Sequence, residues 1–369
     1  MSQIRPLDRA DLPSVANLLE LVYRSGSRSA PVGLAGYLSR LFLDHPWFDR
    51  DIPSLVYVDE DDRIAGFLGS HVRRFTLDGR STRVAVSGQL ATEPAIRKRA
   101  AGALLLQHYL GGPQDLTLTD SASEPVRRMW EGLGGQALHL DRMGWLRLFR
   151  PARFATEFAY RRTRTADSRV AASIRSIATP TDQVIGRLTR RWLTTEPSEV
   201  LVERLTPEAM CEHLADITKR LRFSPDYDVP FLAWLFGELA RVESRGRLVG
   251  FLVRDLSRKV RGWYVYYLNP GGISEVLQIA GNERDLPVVI DHLFHHARVN
   301  GAAALHGRME PALVEALSLR RCVVHVGGYR VLIHSRDPDF RGAVLAGSGL
   351  LSRLDGDWWI RLRSGSFGA

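Results

Sequence analysis

The stretch from Val84 to Leu106 constrains this chain more than any other. Val84 to Thr92 has strand character and stops at Glu93-Pro94. A basic turn follows, Arg97-Lys98-Arg99, then the small residues Ala100, Ala101, Gly102 and Ala103, then an apolar helix opening with Leu104-Leu105-Leu106. Small residues let a backbone approach a ligand closely. The first N–H groups of a helix have no intrahelical partner, and the helix dipole there favours an anion. With three cations beside it, this strand-turn-helix unit suits a pyrophosphate.

The residues around it set an element order. Ile4 to Pro6 reads as a short strand, with Asp8 as the N-cap of a helix that buries Leu12, Val15, Ala16, Leu18, Leu19 and Val22. Leu34 to Leu43 has a second helical pattern. Leu55 to Val58 and Ile64 to Leu68 flank the acidic turn Asp59 to Asp62 as a hairpin. Phe75 to Leu77, the turn Asp78-Gly79 and Val84 to Thr92 make another. Leu116 to Thr119 is a further strand, and Ala137 to Leu140 and Met143 to Leu148 are expected to complete the first sheet.

In this order, the segment resembles the acyl-coenzyme A site of the GNAT N-acetyltransferase superfamily. Arg97 fits the first position of that family's Q/R-x-x-G-x-G/A loop and Gly102 the last, with Ala100 where glycine is usual. A second match follows. Ser123, Val126, Trp130 and Gly134 keep the spacing of the family's N-x-x-A-x-x-x-Y-x-x-x-G-F helix, and Gly135 replaces its phenylalanine. The resemblance covers residues 3–149.

It implies acetyl-CoA or another acyl-CoA as co-substrate. Leu90, Ala91 and Thr92 would pair with the pantetheine arm, and a backbone N–H at Leu90 would polarise the thioester carbonyl. Arg97, Lys98, Arg99, Ala100, Ala101, Gly102 and Ala103 would hold the pyrophosphate, with Ser123 and Trp130 also at the coenzyme. The amine would attack directly, so no enzyme nucleophile is needed. A base must first take its proton, and Glu93 is the candidate by position, ahead of His71, Asp120 and His108. Trp130 stands where the family's tyrosine often protonates the departing thiolate. Indole is a donor only and does not titrate, so that acid is missing.

The second half follows the first at drifting offsets. Leu205, Gly262, Gln278 and Glu310 follow Leu7, Gly66, Gln89 and Glu124 in like surroundings. Here Gly281 to Pro287 has no small-residue cradle and carries Glu283 and Asp285, so no coenzyme is expected. Trp263, Tyr264, Tyr266 and Tyr267 read mainly as strand packing, with a stacking surface as the alternative. His292, His295 and His296 lack the catalytic glutamate and third ligand of a zinc site, and no metal is expected. The tail, Ser352 to Trp359, suggests a turn and a final aromatic strand docked on a sheet.

The formal charge of +9 needs a place. Residues 150–200 hold ten basic against five acidic side chains, with helical runs at Phe154 to Arg164 and Asp182 to Leu193. The two cysteines, Cys211 and Cys322, are too few for a disulfide framework. The N-terminus has no apolar core of signal-peptide type, and no apolar run reaches the ~20 residues of a membrane span.

The expectation is therefore a mixed α/β, cytoplasmic protein with GNAT-like domains at 1–149 and 201–369, the second degenerate, joined by a basic helical connector at 150–200. Each domain would have a mostly antiparallel sheet with helices on both faces. The expected activity is N-acyl transfer from acyl-CoA to an amine of a small molecule, amino sugar or peptide. Two alternatives remain: an aminoacyl-tRNA-dependent transferase, supported by the basic connector, and a non-catalytic coenzyme A sensor or scaffold, supported by Trp130. Nucleic acid takes second place, because the cluster Arg97 to Arg99 sits where a pyrophosphate would.

Overall fold

Asp8 caps a short 3-10 turn, Arg9–Asp11, through a reciprocal capping box with Asp11. Such a cap contributes about 1 kcal/mol and starts helix α1, Leu12–Tyr23, whose Leu12, Val15, Ala16, Leu18 and Leu19 are buried. The computed structural model describes residues 2–23, 29–138, 140–156, 199–326 and 331–360; the side chains of 97–99 and 141 are outside that description. The expected connector, from Glu157 to Ser198, therefore lies outside the described residues, including nearly all of its two helical runs. No described helix is long and apolar enough to cross a membrane.

The chain divides into two units, one of residues 1–139, 220–244 and 329–369, the other of 140–219 and 245–328. This interleaving differs from the consecutive stretches 1–149 and 201–369 that the sequence suggests. In the first unit, β1 (Gln3–Pro6), β2 (Leu55–Val58), β3 (Ile64–Leu77) and β4 (Arg80–Thr92) pair antiparallel in turn. The strands expected separately at Ile64 and Phe75 are one continuous strand. Next comes β5 (Leu116–Thr119), parallel to β4, and the short β6 (Gln136–Ala137) lies further out.

In the second unit, β7 (Met143–Leu148) lies between the later strands β13 (Ala304–Arg308) and β14 (Val323–Val326). The expected completion of the first sheet by Met143 to Leu148 is thus corrected. Trp145 supplies the reason. It pairs in register with Gly307, whose missing Cβ would stand 2.5 Å from the indole ring. The ring is fully buried beside Phe294, and its Nε1–H donates to the Arg308 carbonyl at 3.1 Å. The rest of this sheet is β8 (Leu201–Arg204), β10 (Arg247–Arg254), β11 (Val260–Leu268) and β12 (Ile273–Gly281).

The first sheet takes a late strand in return. β15 (Leu332–His334) sits between β5 and β6, and β9 (Phe223–Pro225) pairs with the far end of β3. Read from the outer strand, the first sheet runs β1-β2-β3-β4-β5-β15-β6 and the second β8-β10-β11-β12-β13-β7-β14. The two orders are equivalent, each with one strand from late in the other stretch of chain beside its parallel strand.

Alternation along β3 sorts the two faces of the first sheet. Leu68 and Val72 pack with α3 (Ala101–Leu110) and with Trp130 of α4 (Glu124–Gly132). The other face carries Gly69, where a Cβ would meet Phe42 of α2 (Leu34–Phe42) at 2.4 Å, and then His71, Arg73 and Phe75.

In the second unit, α5 (Pro207–Thr218) follows β8, capped by Thr206. In the first, α6 (Val229–Ala240) is capped by Asp228. The helix α7 (Leu286–Val299) packs on β11 and β12 and is followed by the short α8 (Val314–Ser318). The helix α9 (Pro338–Leu345) returns to the first core through Phe340, Ala343 and Val344.

Trp263, Tyr264, Tyr266 and Tyr267 are all buried in β11, so they are core and offer no exposed stacking surface. The tail forms a turn and a 3-10 turn, Trp358–Ile360, in place of the expected aromatic strand.

Candidate functional site

The parallel pairing of β4 with β5 runs only from Val84–Leu116 to Val86–Leu118. Beyond Val86, β4 continues for six residues without its neighbour on that side. On the other side a β-bulge interrupts its pairing with β3. Phe67 faces Ala91 and Gly69 faces Gly88, so Gln89 and Leu90 both oppose Leu68. Gln89 takes the left-handed conformation, φ 57°. A bulge bends and re-aims a strand, and this one sits where β4 parts from β5.

A cleft of about 210 Å³ opens at the parting. Ser87, Gly88, Gln89 and Leu90 line one side, and Thr119, Ser121, Ala122 and Ser123 the other. Val126 and Trp130 come from α4, and Tyr23 and Asp357 complete the lining. The Tyr23 hydroxyl donates to the Leu90 carbonyl.

The expected loop follows β4. Glu93 pairs its N–H with the Ala65 carbonyl, Pro94–Arg99 makes a 3-10 turn, and Ala100 turns into α3 at φ 56°. A non-glycine residue in the left-handed region costs about 1–2 kcal/mol. Gly102 is a different case. A Cβ there would meet Thr92 Cγ2 at 3.6 Å and Met129 Sδ at 3.9 Å, ordinary contact distances. The surrounding protein therefore does not demand glycine at 102, whereas a ligand on the first N–H groups of α3 would.

Ser123 is the N-cap residue of α4. Trp130 is fully buried, and its Nε1–H has no hydrogen-bond partner among the described residues. A buried donor left unsatisfied costs about 1–3 kcal/mol. The structure thus gathers Leu90, Ser123 and Trp130 at one cleft. Ala91 and Thr92 continue β4 beside it, and Ala100 to Ala103 form the helix start. Glu93, half-buried, is not among the lining residues. His108 is exposed on α3, away from the cleft. His71 is fully buried among Phe42, His45, Trp234 and Trp359.

Sequence reasoning missed Asp357. Its Oδ1 accepts from Thr119 Oγ1 at 3.0 Å and from the Asp120 N–H at 2.8 Å, and its Oδ2 accepts from Ser121 Oγ. Asp120 answers by accepting from the N–H groups of Asp357 and Trp358, both at 2.7 Å. Gly356 permits the clasp, since a Cβ there would lie 2.2 Å from the Asp120 carboxyl carbon. Burial, and then the neighbouring Asp120, push the Asp357 carboxyl up to about 8. The signal in the sequence was Asp355-Gly356-Asp357, a turn whose long-range partner no local pattern reveals.

Two more buried ionisable groups lie nearby. Burial lowers Arg73 to about 10, Asp355 opposes that shift, and the guanidinium stays charged at neutral pH. Asp355 is itself raised by burial, while it accepts from the Tyr227 hydroxyl and from Ser352.

The matching helix start of the second unit carries an acidic residue and a proline in place of the small-residue run. Asp285 precedes α7 and is ion-paired with Arg261 at 2.7 Å, and Pro287 removes an N–H. His292 and His296 bond the hydroxyls of Tyr264 and Tyr266. No group of three His, Cys, Asp or Glu side chains among the described residues could hold a metal ion. Both cysteines are free thiols, and burial pushes Cys322 up to about 12.

No protein-family model and no curated protein matches the sequence. Solved structures do match. A probable N-acyltransferase from Enterococcus faecalis V583 aligns over 90% of this chain and 72% of its own, at 10% identity and TM-score 0.58. A GCN5-related N-acetyltransferase from Anabaena variabilis aligns over 91% and 73%, at 11% identity and TM-score 0.57. Another from Kribbella flavida aligns over 91% and 71%, at 13% identity and TM-score 0.57. At these identities the likeness speaks for the fold: the chain has the mixed α/β fold of GCN5-related N-acetyltransferase structures.

Proposed function

We propose that this protein is an N-acyltransferase that moves an acyl group, most simply acetyl, from coenzyme A to an amine. The observation that supports it is the parting of β4 from β5 after Val86 and Leu118, with the small-residue start of α3 directly after β4. The free edge of β4 around Leu90 suits the pantetheine amides and the thioester. The first N–H groups of α3 suit the pyrophosphate. Acyl-CoA supplies the activated carbonyl. This chain's residues orient it, shield it from water and accept the proton that the amine loses. The Trp130 Nε1–H can donate a hydrogen bond to the departing sulfur but no proton.

The test is thiol release from acetyl-CoA with a panel of primary amines, alongside calorimetric binding of coenzyme A. Turnover with at least one amine, and loss of coenzyme binding in Gly102→Val, are the expected results. Tight binding without thiol release would instead favour a coenzyme sensor, the reading that buried, non-titrating Trp130 supports.

A further inference from the structure

We infer that Asp357, on the C-terminal segment, is the catalytic base that deprotonates the acceptor amine, in the place that sequence position gives to Glu93. The inference rests on the transferase reading above.

Geometry carries it. Asp357 is the one carboxylate among the described residues lining the cleft. It lies against the β4 edge where β5 has parted. A Cβ on Gly88 would stand 3.2 Å from Asp357 Cβ and 3.5 Å from Oδ2, so the glycine lets the carboxylate pack directly on the β4 backbone at Gly88. The clasp with Asp120, Thr119 and Ser121 fixes it in one orientation. Glu93, by contrast, follows β4 and lies off the lining of the cleft.

The proton balance is simple. The ammonium of the acceptor gives one proton to the Asp357 carboxylate. The neutral nitrogen attacks the thioester carbon, the C–N bond forms, and the C–S bond breaks with its electron pair leaving on sulfur. The thiolate takes up the second proton released by nitrogen, and Asp357 returns its proton to solvent.

A base works best when its pKa lies near the working pH, and burial has moved Asp357 in that direction. The charged and titratable groups facing it are Asp120 at the end of β5, Arg73 on β3 and the Tyr109 phenol on α3. Burial and then Asp120 raise it, the hydrogen bond from Ser121 opposes the rise, and burial with Asp120 prevails.

The experiment compares wild type with Asp357→Asn in thiol release from acetyl-CoA, using primary alkylamines and, separately, hydroxylamine, which is already neutral at pH 7. Wild-type kcat/KM for alkylamines should rise with pH toward about 8. Asp357→Asn should lower it ~10²-fold or more, remove the inflection near 8 so that only the amine's own titration is left, and leave KM for acetyl-CoA and the rate with hydroxylamine much less affected. Equal losses with both kinds of amine, or no loss, would overturn the inference. If the variant does not fold, carbon-13 NMR of aspartate-labelled wild type decides. An aspartate carboxyl titrating well above the usual carboxylate range, whose signal is lost in Asp357→Glu, supports the inference, and the absence of such a carboxyl overturns it. Absence of thiol release by wild type with every amine would sink the transferase reading itself, and the base with it. Turnover that survives Asp357→Asn with all amines would remove the base alone.

Discussion

The Cβ that Gly135 lacks would stand 2.9 Å from the benzo ring of Trp130. The Trp130 carbonyl oxygen is at the same distance. The bulky indole in α4 and the missing side chain just after the helix are one packing solution. The two departures from the family's tyrosine and phenylalanine therefore go together. Gly135→Ala should cost about 1–3 kcal/mol by overpacking, read as a lowered urea midpoint at unchanged m-value.

Ala100 holds a left-handed conformation at the start of α3. Glycine relieves that strain, less the extra chain entropy it loses on folding. Ala100→Gly should therefore stabilise the protein by up to about 1 kcal/mol. A lowered midpoint in chemical denaturation would contradict this account of the loop.

Gly102 separates folding from binding. Its missing Cβ has room in the protein, and alanine is the better helix former by about 0.5–1 kcal/mol. Gly102→Ala should keep or raise stability while weakening coenzyme A binding roughly tenfold, which is 1.4 kcal/mol. Calorimetry and thermal melts on the same preparation check both halves.

Two histidines make the fold sensitive to acid. Burial first, and the charge of Arg73 second, depress His45 to about 3 and hold His71 well below its ordinary 6.5. Each must stay neutral in the fold but charges freely when unfolded. Their contribution is present above about 6.5 and is lost as pH falls toward 3. His71→Phe should flatten the acid limb of a stability-versus-pH curve.

Asp357 acts in the opposite sense. Its carboxyl is raised from 3.8 to about 8, so the folded state holds a proton the unfolded state has released. That contribution is complete below about 4 and is lost as pH rises through 8. Stability of wild type relative to Asp357→Asn should therefore fall across this window, measured by denaturant melts at constant ionic strength.

Local sequence determined a good deal of this. The Asp8 cap, the hairpins, the strand-turn-helix at Thr92 to Leu106 and the Ser123-to-Trp130 helix were legible, because caps, turns and helical periodicity act between residues close in the chain. The partners of short strands were not. Met143 to Leu148 reads as a strand in either sheet, and only burial of Trp145 over Gly307 decides between them. The site divides in the same way. The lining from β4 and α4 is written locally, whereas Asp357 reaches the cleft through a clasp with Asp120, 237 residues away in sequence. A strand's alternation says which face is apolar but not what will cover it, and a turn's residues do not say where it docks. Those choices belong to packing and to the pairing of buried polar groups, which exist only once the chain has folded.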